Sequence, residues 1–143
     1  MITTFKEIAY KSQEWINAVL LREEILRKPL GTCFTEQELD EEKDHFQIVE
    51  FINDTIVATS VLVPEGEKMK MQRVVVSEKL RGANIGSNMM LFCETFALER
   101  RFKIIYCHAR DSAVNFYIKN GYETVGDYFD EDGIPYLKMR KKL

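Results

Sequence analysis

The segment Arg81-Gly82-Ala83-Asn84-Ile85-Gly86-Ser87 carries the clearest chemical signal in this 143-residue chain. It follows an apolar strand pattern, Lys68 to Val76. It precedes a pattern with Ile85, Met89, Phe92, Cys93, Phe96 and Ala97 on one helical face. The start of a helix has unpaired N–H groups and a partial positive charge. Glycines in front of it let phosphate oxygens come close to the backbone. The segment can therefore cradle a pyrophosphate. It can equally be an ordinary loop, with Gly82 making a turn and Gly86 permitting tight packing. The dinucleotide fingerprint G-x-G-x-x-G and the Gly-Lys-Ser/Thr of a Walker loop are both absent, so a different phosphate-bearing ligand fits better.

The elements that must position this loop follow from periodicity and turn chemistry. Ile2 to Ala9 reads as a first strand. Ser12 caps a helix with Trp15, Ala18, Val19, Ile25 and Leu26 at helical spacing, closed by Pro29 and Gly31. Thr35-Glu36-Gln37-Glu38 reads as a capping box opening a second helix, and Glu36 to Asp44 holds six acids and one lysine. Phe46 to Ile52 and Thr55 to Val63 form a hairpin across Asn53-Asp54. Lys68 to Val76 ends in Val74-Val75-Val76, which predicts a strand end buried on both faces. Lys103 to Ala109 is a further strand. Ser112 is placed to cap a short helix that stops at Asn120-Gly121. Glu123 to Phe129 and Ile134 to Met139 are the last two strands. The order β-α-α-β-β-β-α-β-α-β-β implies a mixed sheet with helices on its faces.

Composition narrows the function classes. Lys+Arg is 20 and Asp+Glu is 23, a formal charge of −3, which argues against nucleic-acid and polybasic membrane partners. Cys33, Cys93 and Cys107 show no metal-ligand spacing, so no metal is expected and a reducing cytoplasm fits best. The apolar runs Ala18 to Leu21 and Met89 to Cys93 are far below the roughly 20 residues that span a bilayer. No linker or repeat divides the chain, so one domain is expected over residues 1–143.

Arg81-x-x-Asn84-x-Gly86 resembles the [Q/R]-x-x-G-x-[G/A] pattern of the GNAT superfamily of N-acetyltransferases, with Asn84 in place of the middle glycine. Asparagine tolerates positive φ better than most non-glycine residues. Ala113-Val114-Asn115-Phe116-Tyr117-Ile118-Lys119-Asn120-Gly121-Tyr122 is similar to the family's A-x-x-F-Y-x-x-x-G-[F/Y] segment. Arg22-Glu23-Glu24, the acidic second helix and Asp132-Gly133-Ile134-Pro135-Tyr136 look like small bacterial GNAT proteins of poorly defined substrate. Their ending often reads D-G-I-P-H, and Tyr136 stands where that histidine would be. The resemblance implies an α/β fold: a mostly antiparallel central sheet, splayed between strands 4 and 5, with helices on both faces.

It also implies an activity, transfer of acetyl from acetyl-CoA, as co-substrate, to a primary amine of a small molecule or peptide by direct attack. The backbone of Val74, Val75 and Val76 would pair with pantetheine amides. The N–H groups of Gly82, Ala83, Asn84, Ile85, Gly86 and Ser87 would hold the pyrophosphate. Arg81 would add charge, and Asn115 a hydrogen bond to the pantetheine arm. An N–H near Val76 would steady the oxyanion. Tyr117 matches the tyrosine that protonates the departing thiolate. Strand 4 lacks the glutamate base of many relatives and has Gln72 instead. His108 or a water chain are the candidates for base, with His45 behind them. The acidic helix either attracts a cationic acceptor or is a solvated face, and Trp15 and Arg22 lie where relatives build the acceptor pocket. The absent glutamate leaves a second reading open, a non-catalytic acyl-CoA sensor or partner-binding module. A homodimer is an analogy with relatives.

Overall fold

The computed structural model describes residues 3–82 and 84–143. The expected strand start at Ile2 and the loop residue Ala83 lie outside them. The elements are β1 (Thr4–Ile8), α1 (Gln13–Leu26), α2 (Glu36–Glu41), β2 (Phe46–Ile52), β3 (Thr55–Glu65), β4 (Lys68–Val76), α3 (Ile85–Glu99), β5 (Ile104–Arg110), α4 (Val114–Lys119), β6 (Glu123–Glu131) and β7 (Ile134–Lys142). They build one seven-stranded sheet ordered β1-β2-β3-β4-β5-β7-β6. Neighbours are antiparallel except β4 and β5, which run parallel.

Local chemistry explains the helix starts. The Ser12 hydroxyl accepts from the Trp15 N–H at 3.1 Å. Thr35 and Glu38 form a reciprocal capping box. Two layers of core cover the sheet because successive strand residues face opposite ways. On β2, Ile48 packs with Met89, Cys93 and Phe96 of α3, whereas its neighbour Val49 packs with Trp15, Ala18 and Val19 of α1. No helix among the described residues is long and apolar enough to cross a membrane.

The decisive irregularity is in β4. Thr59 pairs with Val75 and Val61 pairs with Gln72, so Arg73 and Val74 together oppose Ser60. Arg73 takes a left-handed conformation with φ 54°. Such a bulge bends the strand and strengthens its twist. The parallel pairing with β5 covers only Lys68 to Met71 against Ile104 to Cys107. Beyond that point the two strands diverge. This corrects the expectation for Val74-Val75-Val76: Val75 is buried, but Val74 and Val76 are half-buried, because β5 no longer flanks them. Two further expectations change. Ser112 does not cap α4; the cap position is Ala113, and Asp111 instead accepts from the Ser112 N–H at 2.9 Å. The acidic helix ends at Glu41, and Glu42 turns inward and is buried.

Glu50 sits fully buried on the α3 side of β2, with no hydrogen-bond partner for either oxygen among the described residues. Burial pushes its pKa up to about 7, with Thr3 acting in the opposite direction. A carboxyl whose folded pKa exceeds the unfolded value of about 4.3 binds its proton more tightly when folded. Stability therefore falls as pH rises from about 4.3 to about 7 and stays lowered above that. Glu50→Gln is expected to raise the melting temperature at pH 8 and to leave it unchanged at pH 4. Melts at both pH values test this; an equal shift at the two pH values contradicts it.

Candidate active site

A cleft of about 980 Å³ opens where β4 and β5 part. Gln72 to Val76 and Cys107 to Arg110 form its two sides. One end reaches the loop before α3; the other lies between the end of α1 and the β6–β7 turn. A smaller hollow of about 620 Å³ beside the β2–β3 turn is lined by Thr4, Asn17 and Asn53, and its Glu14 is already paired with Lys6 at 2.8 Å.

At the loop end, both readings of the glycines hold. Gly82 has φ 90° and open space around it, so its role is conformational. A Cβ on Gly86 would lie 3.0 Å from the Phe116 ring, so its role is the close approach of α3 to α4. Asn84 caps α3 in the left-handed conformation, φ 62° and ψ 12°, but its side chain makes no capping bond. No acid occupies the first turn. The leading N–H groups of α3 are thus free of side-chain caps, and the macrodipole is unopposed there. Arg81 is exposed and lines the cleft. The Ile85 side chain belongs to the core, so this residue offers only its backbone. Ser87 is half-buried and stands outside the lining.

In the middle, the Ser77 N–H donates to the Val57 carbonyl at 2.8 Å. Alternation along a strand then turns the Val76 N–H toward the cleft. Tyr117 lines the cleft and is 6% exposed, with its hydroxyl against the Cys107 thiol. Burial first, then Cys107, holds the phenol pKa well above its ordinary value. Burial also pushes the Cys93 and Cys107 thiols up to about 12. Neither is a thiolate at neutral pH. Asn115 is exposed and does not line the cleft; Ser112, Ala113 and Phe116 do.

At the far end, His108 is half-buried and meets Phe129 edge-on at 5.1 Å. Burial, then Lys70, lowers its pKa, so the imidazole is neutral at pH 7. Gln72 also lines this part. His45 does not line the cleft, and neither do Trp15 or Arg22. Trp15 packs in the α1 core.

Arg22 has a structural task. It is 1% exposed, lies 3.5 Å from Glu42 and donates to Gln47 at 3.4 Å. Glu42 in turn accepts from Arg73 Nε at 3.2 Å. Glu38 binds Arg27 at 3.1 Å and lies 3.8 Å from Arg73. The Arg27 hydrogen bond is the chief reason the Glu38 carboxyl falls to about 2. Phe34 carries Arg27 at 4.2 Å and Arg73 at 5.0 Å from its ring centroid. Glu38 of α2 and Glu42 just beyond it are therefore spent on arginines. Sequence patterning did not single out Arg27, Arg73 or Arg110. Each matters through partners distant in the chain, and a one-residue bulge leaves no periodic signal.

Residues 10–143 match the family described as "Acetyltransferase (GNAT) domain". The chain belongs to the GNAT acetyltransferase family. It is 31% identical over 104 residues to protein ElaA of Escherichia coli, covering 70% of this chain and 68% of ElaA. The ElaA crystal structure superposes with a TM-score of 0.82 at 24% identity, covering 98% of this chain and 99% of ElaA. A GNAT family acetyltransferase from Elizabethkingia anophelis, solved with acetyl-CoA bound, gives a TM-score of 0.75 at 15% identity, covering 99% and 98% of the two chains. These neighbours share the GNAT fold, with its parallel β4–β5 pair in an otherwise antiparallel sheet.

Glu42→Gln leaves the Arg22 guanidinium buried without its countercharge. Breaking a buried pair from one side costs about 3–5 kcal/mol, on the order of 10 °C in melting temperature for a domain of this size. The double change Arg22→Met, Glu42→Gln is expected to recover part of that loss. Thermal melts of the two variants test it; a double variant no more stable than Glu42→Gln contradicts it.

Proposed function

We propose that this protein acetylates a primary amine of a small molecule or peptide, using acetyl-CoA as co-substrate, by direct attack in a ternary complex. The observation that carries the reading is one cleft joining three features: an α3 start free of side-chain caps, the unpaired edge of β4, and the buried Tyr117 hydroxyl. The acetyl-CoA bound to the Elizabethkingia anophelis acetyltransferase supports the choice of co-substrate.

On this reading the backbone N–H groups of residues 82–87, Gly82 through Ser87, receive the pyrophosphate, and Arg81 adds a charge-assisted contact. The Val74–Val76 edge of β4 orients the pantetheine arm. Acetyl-CoA supplies a thioester carbonyl. The amine nitrogen forms the new C–N bond while the C–S bond breaks. The Val76 N–H steadies the charge on the carbonyl oxygen. The neutral His108 imidazole takes the amine proton. Tyr117 Oη returns a proton to the thiolate sulfur. Burial keeps that proton on the phenol beforehand, and the same burial raises the basicity of a thiolate formed beside it. The protonated, buried thiols of Cys93 and Cys107 favour direct attack over an acetyl-cysteine relay.

Acetyl-CoA and CoA, but not ATP or NADH, are expected to raise the melting temperature. At about 100 times Kd the gain is about 2.7 kcal/mol, roughly 5–10 °C. Tyr117→Phe is expected to keep that shift and to lose about 10²- to 10⁴-fold in kcat. No shift with either CoA species sinks the reading, and a shift without acetylation of any amine favours a sensor.

The pH profile tests His108 separately. Its folded pKa lies below the ordinary 6.5, so kcat/KM is expected to rise with pH through a value under 6.5. His108→Gln is expected to abolish that limb. An unchanged limb in the variant removes His108 as the base.

A further inference from the structure

The acceptor half of the cleft carries Arg110, a guanidinium fixed by one hydrogen bond. Cys107 and Ala109 of β5 belong to the core beneath α3 and α4. Strand alternation therefore sends His108 and Arg110 to the opposite face, away from the α3 start. Arg27 and Arg73 on that side are neutralised by Glu38 and Glu42. Arg110 forms no ion pair with any described residue. Arg110 lines the cleft; its Nε donates to the Tyr136 hydroxyl at 3.3 Å, which steadies the guanidinium, and its Nη groups make no hydrogen bond with any described residue. The adjacent Asp111 accepts from the Ser112 N–H instead.

Charges of both signs surround this pair of residues. Lys70 and Lys138 face His108 from β4 and β7. Of the acids on this side, Glu65 is bonded to the Tyr106 hydroxyl, and the exposed Glu131 and Asp132 line the cleft at the β6–β7 turn. His108 and Arg110 are two residues apart on one strand face, about 7 Å along the chain. An amine at His108 and a carboxylate at Arg110 span that distance within one small molecule or one chain end. The planar guanidinium fork matches a carboxylate in a paired contact.

We propose that Arg110, held by Tyr136, is an anion subsite and that the acceptor is an amine carrying a carboxylate. The inference rests on the acetyltransferase reading for its substrate role, but the subsite can be tested without turnover.

Glycine, β-alanine, γ-aminobutyrate and phenylalanine are each compared with their carboxamides as acceptors. At least one acid is expected to exceed its amide by about 10- to 100-fold in kcat/KM, the effect of a hydrogen-bonded charge, expressed in acceptor KM. Arg110→Ala is expected to erase the preference and Arg110→Lys to restore part of it. Acid and amide used equally throughout, or lowered equally by Arg110→Ala, overturns the proposal. In parallel, the N-acetyl forms of the same acids and amides are titrated into wild type and Arg110→Ala by NMR. Acid-selective binding that Arg110→Ala removes supports the subsite even if acetyl-CoA does not bind. Absence of acid-selective binding overturns it even if acetyl-CoA binds and other amines are acetylated.

Discussion

The rest of the site depends on one residue held in an uncommon backbone conformation. Arg73 at φ 54° places two β4 residues opposite one of β3. That extra residue bends β4 away from β5 after Met71 and Cys107, the last pair they share. Without the bend the parallel pairing would continue, and the Val74–Val76 edge would be consumed by β5. With it, backbone hydrogen-bonding groups stand unpaired along an interior cleft. That is costly in a sheet core and useful only where a ligand can complete the ladder.

A left-handed arginine needs support from outside its own strand, since nothing local favours it. The support comes from the charged layer over this face. Gln47, Arg22 and Glu42 lead to the Arg73 guanidinium, and Glu38 and Phe34 flank it. Arg22 remains charged, although burial lowers its pKa to about 10. A buried pair of this kind adds little net stability, but its failure from one side is severe. Its consequence here is geometric: α1 and α2 are tied to the bulge that opens the cleft.

The two ends of the cleft divide the chemistry. The loop end is built from backbone, because Gly82 and Asn84 adopt positive φ and α3 begins without a side-chain cap. The far end is built from side chains on β4, β5 and β7, where His108, Arg110 and Tyr136 converge. Backbone cradles tolerate sequence change outside their glycines. Side-chain floors do not, and they are where members of one fold can differ in substrate.

Much was legible in the residues alone. The Ser12 cap, the Thr35–Glu38 box and the Asn53 turn are settled within four residues of chain, so local pattern determines them. The element order and the glycine loop before α3 follow from the same short-range rules, and the two motifs around Asn84 and Tyr117 resemble those of the family. What only the tertiary structure decided lies in pairings across the chain. Arg73 meets Glu42 and Arg110 meets Tyr136, 31 and 26 residues apart. Ala113, not Ser112, stands at the cap of α4, Asn115 faces solvent, and Val74 and Val76 line a cleft rather than a closed core. Periodicity reports which face of an element is apolar. It cannot report a single inserted residue in a ladder, nor which distant charge a buried arginine will meet, because both are set by register and packing between strands and helices.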